Sequence, residues 1–218
     1  MAELRTEEEQ VQVLKNWWDE NGKSLLLGVA VALAAVFGWK GWQQQQAVES
    51  ENASVLYQNL LDATVSALGP QGDQAQYKIA ESLAEQLKND YDSSAYAKFA
   101  ATIMARVAVD NDQLDKALTE LNWVLENQPT VSMYVLTSLR KARILVAKGE
   151  LDQALAIVKE LPVSGYEVSI AELKGDIHLA KGEKAKARGE YQAAISAAET
   201  NSRPVLQMKL DDLAAEES

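Results

Sequence analysis

The sequence predicts an all-α protein: one membrane-spanning helix near the N-terminus, then a solenoid of helical hairpins. Three observations carry this. An uncharged apolar run, Leu25 to Trp39, lies between Lys23 and Lys40. Beyond it the chain is rich in Ala, Leu, Glu, Lys and Gln, and its four prolines (70, 129, 162 and 204) each fall between periodic segments. Those segments repeat, with their turn signals in register.

The first element is the span. Carried to Trp42, with Lys40 snorkelling toward headgroups, it offers about 19 positions. That is roughly 28 Å against a hydrocarbon core of about 30 Å. Of five tryptophans, four (Trp17, Trp18, Trp39 and Trp42) flank the run, as an aromatic belt requires. A cleaved signal peptide fits worse. Cutting at Ala32-Leu33-Ala34 leaves only Leu25 to Val31 as an apolar core, behind a long acidic leader (Glu7-Glu8-Glu9, Asp19-Glu20). The expected organisation is therefore residues 1–23 as a cytoplasmic segment, 24–42 as a transmembrane helix and 43–218 as a periplasmic helical domain. Orientation follows from Arg5, Lys15 and Lys23 on one side against Lys40 alone on the other. Cysteine is absent, which decides nothing about compartment. Gly28, Ala32 and Ala35 form one small-residue stripe, and Ala30, Ala34 and Gly38 another, either of which would let a second helix approach in lipid. The bland reading is that alanine is common in weakly hydrophobic anchors.

The rest of the chain holds 17 Lys plus Arg against 26 Asp plus Glu from residue 43 onward. So acidic a surface excludes a nucleic-acid binder. Helices are expected at 45–68, 73–89, 94–109, 113–127, 131–148, 151–161, 165–181, 183–200 and 205–215. Leu114-Asp115-Lys116-Ala117-Leu118 returns 37 residues on as Leu151-Asp152-Gln153-Ala154-Leu155, and Lys148-Gly149-Glu150 returns 33 residues on as Lys181-Gly182-Glu183. These offsets bracket the 34-residue tetratricopeptide period. A hairpin of that kind needs a small residue on its first helix and Ala twelve positions later. Ala105/Ala117, Ala142/Ala154 and Gly175/Ala187 satisfy this, followed four positions on by Leu121, Val158 and Tyr191. The match is degenerate, because Ala101, Ser138 and Ala171 stand where large aromatics are usual. The hairpin from Ala47 to Tyr91 lacks the signature and reads as an N-terminal cap. Val205 to Ala215 reads as the C-terminal cap, followed by an acidic tail at 216–218.

First helices line the inner face of such a solenoid. The inward positions are Phe99, Thr102, Arg106 and Val109; Leu136, Leu139, Arg143 and Val146; and Ser169, Glu172, Asp176 and Leu179. Among them Phe99, Arg106, Leu136, Leu139, Arg143, Glu172 and Asp176 form the candidate partner-binding groove. Arg106 and Arg143 occupy equivalent positions, and two guanidiniums beside apolar residues suit a carboxylate or an extended peptide. The alternative is that they pair with neighbouring acids and only solvate the groove.

No constellation for catalysis is present, and no cofactor is implied. The one histidine, His178, falls at a packing position. With no cysteine and one histidine, a zinc site is not expected. Asp110 to Asp115 imitates a calcium loop, but Leu114 fills an oxygen-ligand position and Asp115 replaces the turn glycine. It reads better as a hairpin turn before an acidic helix start. No phosphate-binding glycine loop or nucleophile elbow occurs.

Gln10 to Lys23, the anchor end Gly38-Trp39-Lys40-Gly41-Trp42, the degenerate repeats and the run Gln207-Met208-Lys209-Leu210-Asp211-Asp212-Leu213 together resemble the YfgM family. The resemblance covers essentially the whole chain. It implies a non-enzymatic, single-pass inner-membrane protein with a periplasmic tetratricopeptide-like domain. It further implies an ancillary role at the SecYEG translocon, alongside a PpiD-like membrane-anchored chaperone, in passing unfolded secretory proteins to periplasmic chaperones. A second reading is regulatory. Val11, Leu14 and Trp18 share one face of a helix in residues 1–23, which would either hold a cytoplasmic stress-response protein or simply dock on the headgroups.

Overall fold

The computed structural model describes residues 7–69, 72–198 and 203–215. Arg5, Pro70 and the acidic tail at 216–218 lie outside them, as does the expected end of the helix at 183–200. Among the described residues there are nine helices and no strand. These are α1 (Glu7–Ala67), α2 (Gln74–Asp90), α3 (Ala95–Asp110), α4 (Leu114–Glu126), α5 (Val131–Ala147), α6 (Leu151–Lys159), α7 (Glu167–Ala180), α8 (Lys184–Ala197) and α9 (Pro204–Ala215).

The anchor and the helix expected at 45–68 are one element. Gln43 to Ala47 holds no proline or capping residue, so nothing stops the helix after Trp42. The chain nevertheless divides into two compact units, Met1–Asn52 and Ala53–Ser218. In the first, the apolar residues of the span are exposed, and the helix is long and apolar enough to cross a membrane. Trp39 and Trp42 pack ring on ring, 5.1 Å between centroids. Gly28, Ala32 and Ala35 lie on the exposed surface, and a Cβ on Gly28 would meet nothing within 4 Å.

The second unit is built from hairpins. α3 packs on α4, α5 on α6 and α7 on α8, while α4 meets α5, α6 meets α7 and α8 meets α9. Every member of the three small-residue pairs is buried, as are Leu121, Val158 and Tyr191. The end of α1 supplies Ala53, Leu60 and Ala63 to a core with Ala80, Ala84, Leu87, Ala97, Ala100 and Met104. Three helix starts, those of α2, α3 and α5, carry side-chain caps. Asp73 accepts from the backbone of Ala75 and Gln76, Ser94 from Ala97 and Thr130 from Met133.

The three hairpin turns share one mechanism. The backbone N–H groups of Gln113, Glu150 and Glu183 donate to the carbonyls of Ala108, Leu145 and His178 at 2.8, 2.9 and 2.9 Å. Those of Asp112, Gly149 and Gly182 donate to Val109, Val146 and Leu179 at 3.0, 2.9 and 2.9 Å. This paired pattern ends a helix through one left-handed residue. That residue is Asp112, Gly149 or Gly182, with φ of 57°, 80° and 75°. Aspartate tolerates this region less well than glycine. Asp112→Gly is therefore expected to raise stability by about 0.5–1 kcal/mol, read as a higher midpoint in chemical denaturation. An unchanged or lower midpoint would mean that Asp112 makes a compensating interaction.

The same turns explain the repeated motifs. Lys148 ends α5 and reaches back to Asp115 at 2.6 Å; Lys181 ends α7 and pairs with Asp152. The Lys-Gly-Glu and Leu-Asp motifs are thus two halves of one contact between successive hairpins. In α8 the corresponding pair is Lys184-Ala185, so the aspartate is missing where the series stops.

Candidate partner-binding groove

Two adjoining cavities open on the face formed by α3 and α5. One, of about 420 Å³, is lined by Thr102, Ile103, Arg106, Val109, Arg140 and Arg143, with Ala105, Leu121 and Ile144 at its base. The other, of about 410 Å³, is lined by Tyr57, Phe99, Met133, Leu136 and Thr130, and shares Thr102, Ile103 and Arg140 with the first. The groove is therefore continuous, apolar and aromatic at one end and cationic at the other.

Of the residues expected from sequence, Phe99, Arg106, Leu136 and Arg143 line these cavities. Phe99 and Leu136 are 42% and 44% exposed and line the same cavity, so they form a patch and not scattered surface residues. Tyr57 stands over this end, 6.2 Å from the Phe99 ring and 5.5 Å from that of Tyr96.

Three expected residues do not line it. Leu139 is 2% exposed and belongs to the core with Val135, Ala142 and Ile170. In α5 the groove face runs 136, 140, 143, and position 139 turns into the next hairpin. Glu172 and Asp176 are held elsewhere: Lys209 of α9 donates to them at 2.9 and 2.7 Å, and the Tyr191 hydroxyl donates to Asp176 at 2.8 Å. The C-terminal helix closes the position where a third repeat would extend the groove.

Tyr57, Ile103, Thr130, Ser132, Met133 and Arg140 also line the groove, outside the positions expected from repeat register. Arg140 sits one position past Leu139, and the i, i+4, i+7 spacing from Leu136 sets it on one face with Arg143. Tyr57 comes from the cap hairpin, which has no repeat to align with. The electrostatics also divide. Arg106 is 75% exposed and donates through Nε to both carboxylate oxygens of Asp110 at 2.9 Å, as the solvating alternative requires. Arg140 and Arg143 have no carboxylate partner among the described residues.

The other candidate chemistry is accounted for by turns. Asp110 holds Arg106, Asp112 is the left-handed residue and Asp115 holds Lys148. His178 is buried, with Nδ1 2.6 Å from Oε2 of Glu183, so its ring braces the last hairpin turn. The hydrogen bond to His178 holds the Glu183 carboxyl below its usual range. Among the described residues no group of three potential ligands gathers around a metal-sized space.

A family model for a tetratricopeptide repeat-like domain matches residues 15–215. A protein of Escherichia coli (strain K12) is 30% identical over 214 residues, covering 98% of this chain and 99% of its own length. One of Haemophilus influenzae is 29% identical over 213 residues, covering 98% of this chain and all of its own. A third, of Aggregatibacter actinomycetemcomitans, is 30% identical over 214 residues. Each is named an ancillary SecYEG translocon subunit. The chain belongs to this family. Its relatives are named as translocon subunits and not as enzymes, in keeping with a sequence that offers no catalytic constellation. A thermophilic tetratricopeptide protein of Thermus thermophilus is similar at a TM-score of 0.47 and 16% identity, over 78% of this family member and 98% of its own chain.

Proposed function

We propose that this single-pass inner-membrane protein is a non-enzymatic scaffold at the SecYEG translocon, with its hairpin unit in the periplasm presenting the α3–α5 groove to partners. The full-length match to relatives named ancillary SecYEG translocon subunits carries this reading. The groove's exposed Phe99 and Leu136 supply the surface. Its partners are a PpiD-like membrane-anchored chaperone and unfolded secretory chains passing to periplasmic chaperones. Tethering raises the groove's local concentration near the exit, so modest affinity suffices. The small-residue stripe at Gly28, Ala32 and Ala35 offers a close-packing surface to a partner's membrane helix.

The test is site-specific photo-crosslinking in intact cells. A crosslinker at Leu136 or Arg140 is expected to capture translocon subunits, the chaperone or secretory chains. The same probe at buried Leu139 is expected to capture none. Capture of none of the three from Leu136 or Arg140 would end the proposal.

Orientation has its own test, because the chain lacks cysteine. Single Lys15→Cys and Glu51→Cys variants place one thiol on either side of the span. A membrane-impermeant maleimide applied outside the inner membrane is expected to label position 51 and spare position 15. The reverse pattern would invert the topology.

A regulatory role of the N-terminal segment is favoured by the exposure of Val11, Leu14 and Trp18 along α1. Deleting residues 2–14 separates the readings. The scaffold keeps its translocon association, whereas a regulator loses its cytoplasmic partner and the stress response changes.

A further inference from the structure

Arg140 and Arg143 sit three residues apart on α5, hence on one face of the helix. Both line the cationic cavity, and Arg140 also lines the aromatic one. Five lysines of the unit hold a carboxylate, Lys88 with Glu120, Lys116 with Glu81, Lys148 with Asp115, Lys181 with Asp152 and Lys209 with Asp176, and buried Lys98 donates to the backbone carbonyls of Asp92, Ser93 and Ser94. Arg140 and Arg143 hold none among the described residues, in a chain of net charge −11. Guanidinium is the cation whose fork of donors matches a carboxylate bidentately. An apolar wall alone would accept any greasy segment; two free guanidiniums beside it select among them.

We propose that the groove binds an extended segment of a partner protein in which a bulky apolar residue is followed closely by two carboxylates. The apolar side chain enters between Tyr57, Phe99 and Leu136, and the carboxylates meet Arg140 and Arg143. Extended chains rise about 3.3 Å per residue and alternate faces, so side chains two apart share a face at roughly 6.6 Å. Residues three apart on a helix lie at about 5–6 Å between Cβ atoms. A Glu-x-Glu spacing therefore fits the pair. The acidity of the surrounding unit does not prevent this, because solvent ions screen charges beyond about 8 Å at physiological salt. That acidity does disfavour an anionic lipid surface as the occupant.

This rests on the groove being a partner surface. The experiment uses the full-length protein in detergent micelles and a fluorescein-labelled, C-terminally amidated peptide, Ser-Phe-Leu-Glu-Ser-Glu-Gly, read by anisotropy at physiological salt. The acidic peptide is expected to bind at least tenfold more tightly than its Gln-x-Gln counterpart. Arg140→Ser/Arg143→Ser is expected to erase that difference while far-ultraviolet dichroism stays unchanged. Lys141→Ser, which removes a cation next to both, is expected to preserve it. Phosphatidylglycerol vesicles are expected not to compete. Equal binding of both peptides, discrimination surviving in the double variant, or displacement by the vesicles would overturn the proposal. If both peptides bind equally and Leu136→Ser abolishes binding, the partner groove stands and only its acidic preference falls. If neither peptide binds, the proposal fails, and crosslinking from Leu136 decides whether the groove reading fails with it.

Discussion

Glu120→Ala is expected to destabilise the hairpin unit by about 2–3 kcal/mol, short of the full cost of orphaning a buried charge because Glu85 stays beside Lys88. Lys88 of α2 and Glu120 of α4 face each other across a helix boundary, with side chains 9% and 7% exposed. The ammonium donates to both carboxylate oxygens, at 3.1 and 3.0 Å, and lies 6.0 Å from the centroid of the Trp123 ring. Burial pushes the Glu120 carboxyl up, more than Lys88 draws it down. For Lys88 burial acts downward, but the hydrogen bonds it donates to Glu85 and Glu120 outweigh it and leave the amine raised. Removing Glu120 leaves Lys88 with Glu85, at 2.5 Å but half in water. The loss is read from the midpoint of chemical unfolding followed by helical dichroism. Lys88→Met/Glu120→Leu is expected to fall within about 1 kcal/mol of wild type, because a well-packed apolar pair replaces the ions without an orphan. Equal damage from the single and double variants would mean that the site contributes through shape alone.

The same pair gives a pH signature. The folded pKa of Lys88 lies above its ordinary value of 10.5. Its contribution is therefore complete below the unfolded value and is lost as pH rises through the folded one. Wild type is expected to lose stability relative to the double variant in that alkaline window, and separately as pH rises from the ordinary carboxylate value of 4.5 through the raised folded value of Glu120.

Legibility in the sequence followed the range of the interactions. Hairpin boundaries lay within a few residues of the observed ones because Schellman turns and small-residue pairs are local, with fixed spacing. Ala105, Ala142 and Gly175 were named from spacing alone, and all are buried. The groove was only half legible. Phe99, Arg106, Leu136 and Arg143 followed from repeat register, but a 3.6-residue helix does not say which of positions 139 and 140 turns inward. Packing of Leu139 against Ile170, from a different hairpin, decides it. Glu172 and Asp176 were misplaced for a similar reason. Their partner Lys209 is 37 and 33 residues away, on a cap helix outside the repeat pattern. Long-range ion pairs leave no period in a sequence.

That cap makes the second large effect. Gly175→Ala is expected to cost about 1–3 kcal/mol, because an added Cβ would lie under 3.0 Å from Cδ1 and Cε1 of Tyr191. The ring cannot retreat easily. It is fully buried, its hydroxyl is tied to Asp176, and Lys209 sits 5.6 Å from its centroid while also holding Asp176 and Glu172. Burial, then Asp176, keeps the phenol above its ordinary range, so it acts as a neutral donor. The equivalent pairs are Ala105 with Leu121 and Ala142 with Val158, so side-chain volume is exchanged between partners along the series. Gly175→Ala/Tyr191→Leu rebuilds the first of these pairs in the third hairpin. The two substitutions are expected to be non-additive by at least about 1 kcal/mol, the double variant being more stable than the sum of the singles. Additive losses would place the cost of Gly175→Ala in the helix backbone and not against the ring. Because Asp176 and Glu172 are held through Tyr191 and Lys209, Gly175→Ala is also expected to loosen α9, seen as faster amide exchange across Pro204–Ala215. The α3–α5 groove, on the two preceding hairpins and away from Tyr191, is expected to keep its peptide affinity.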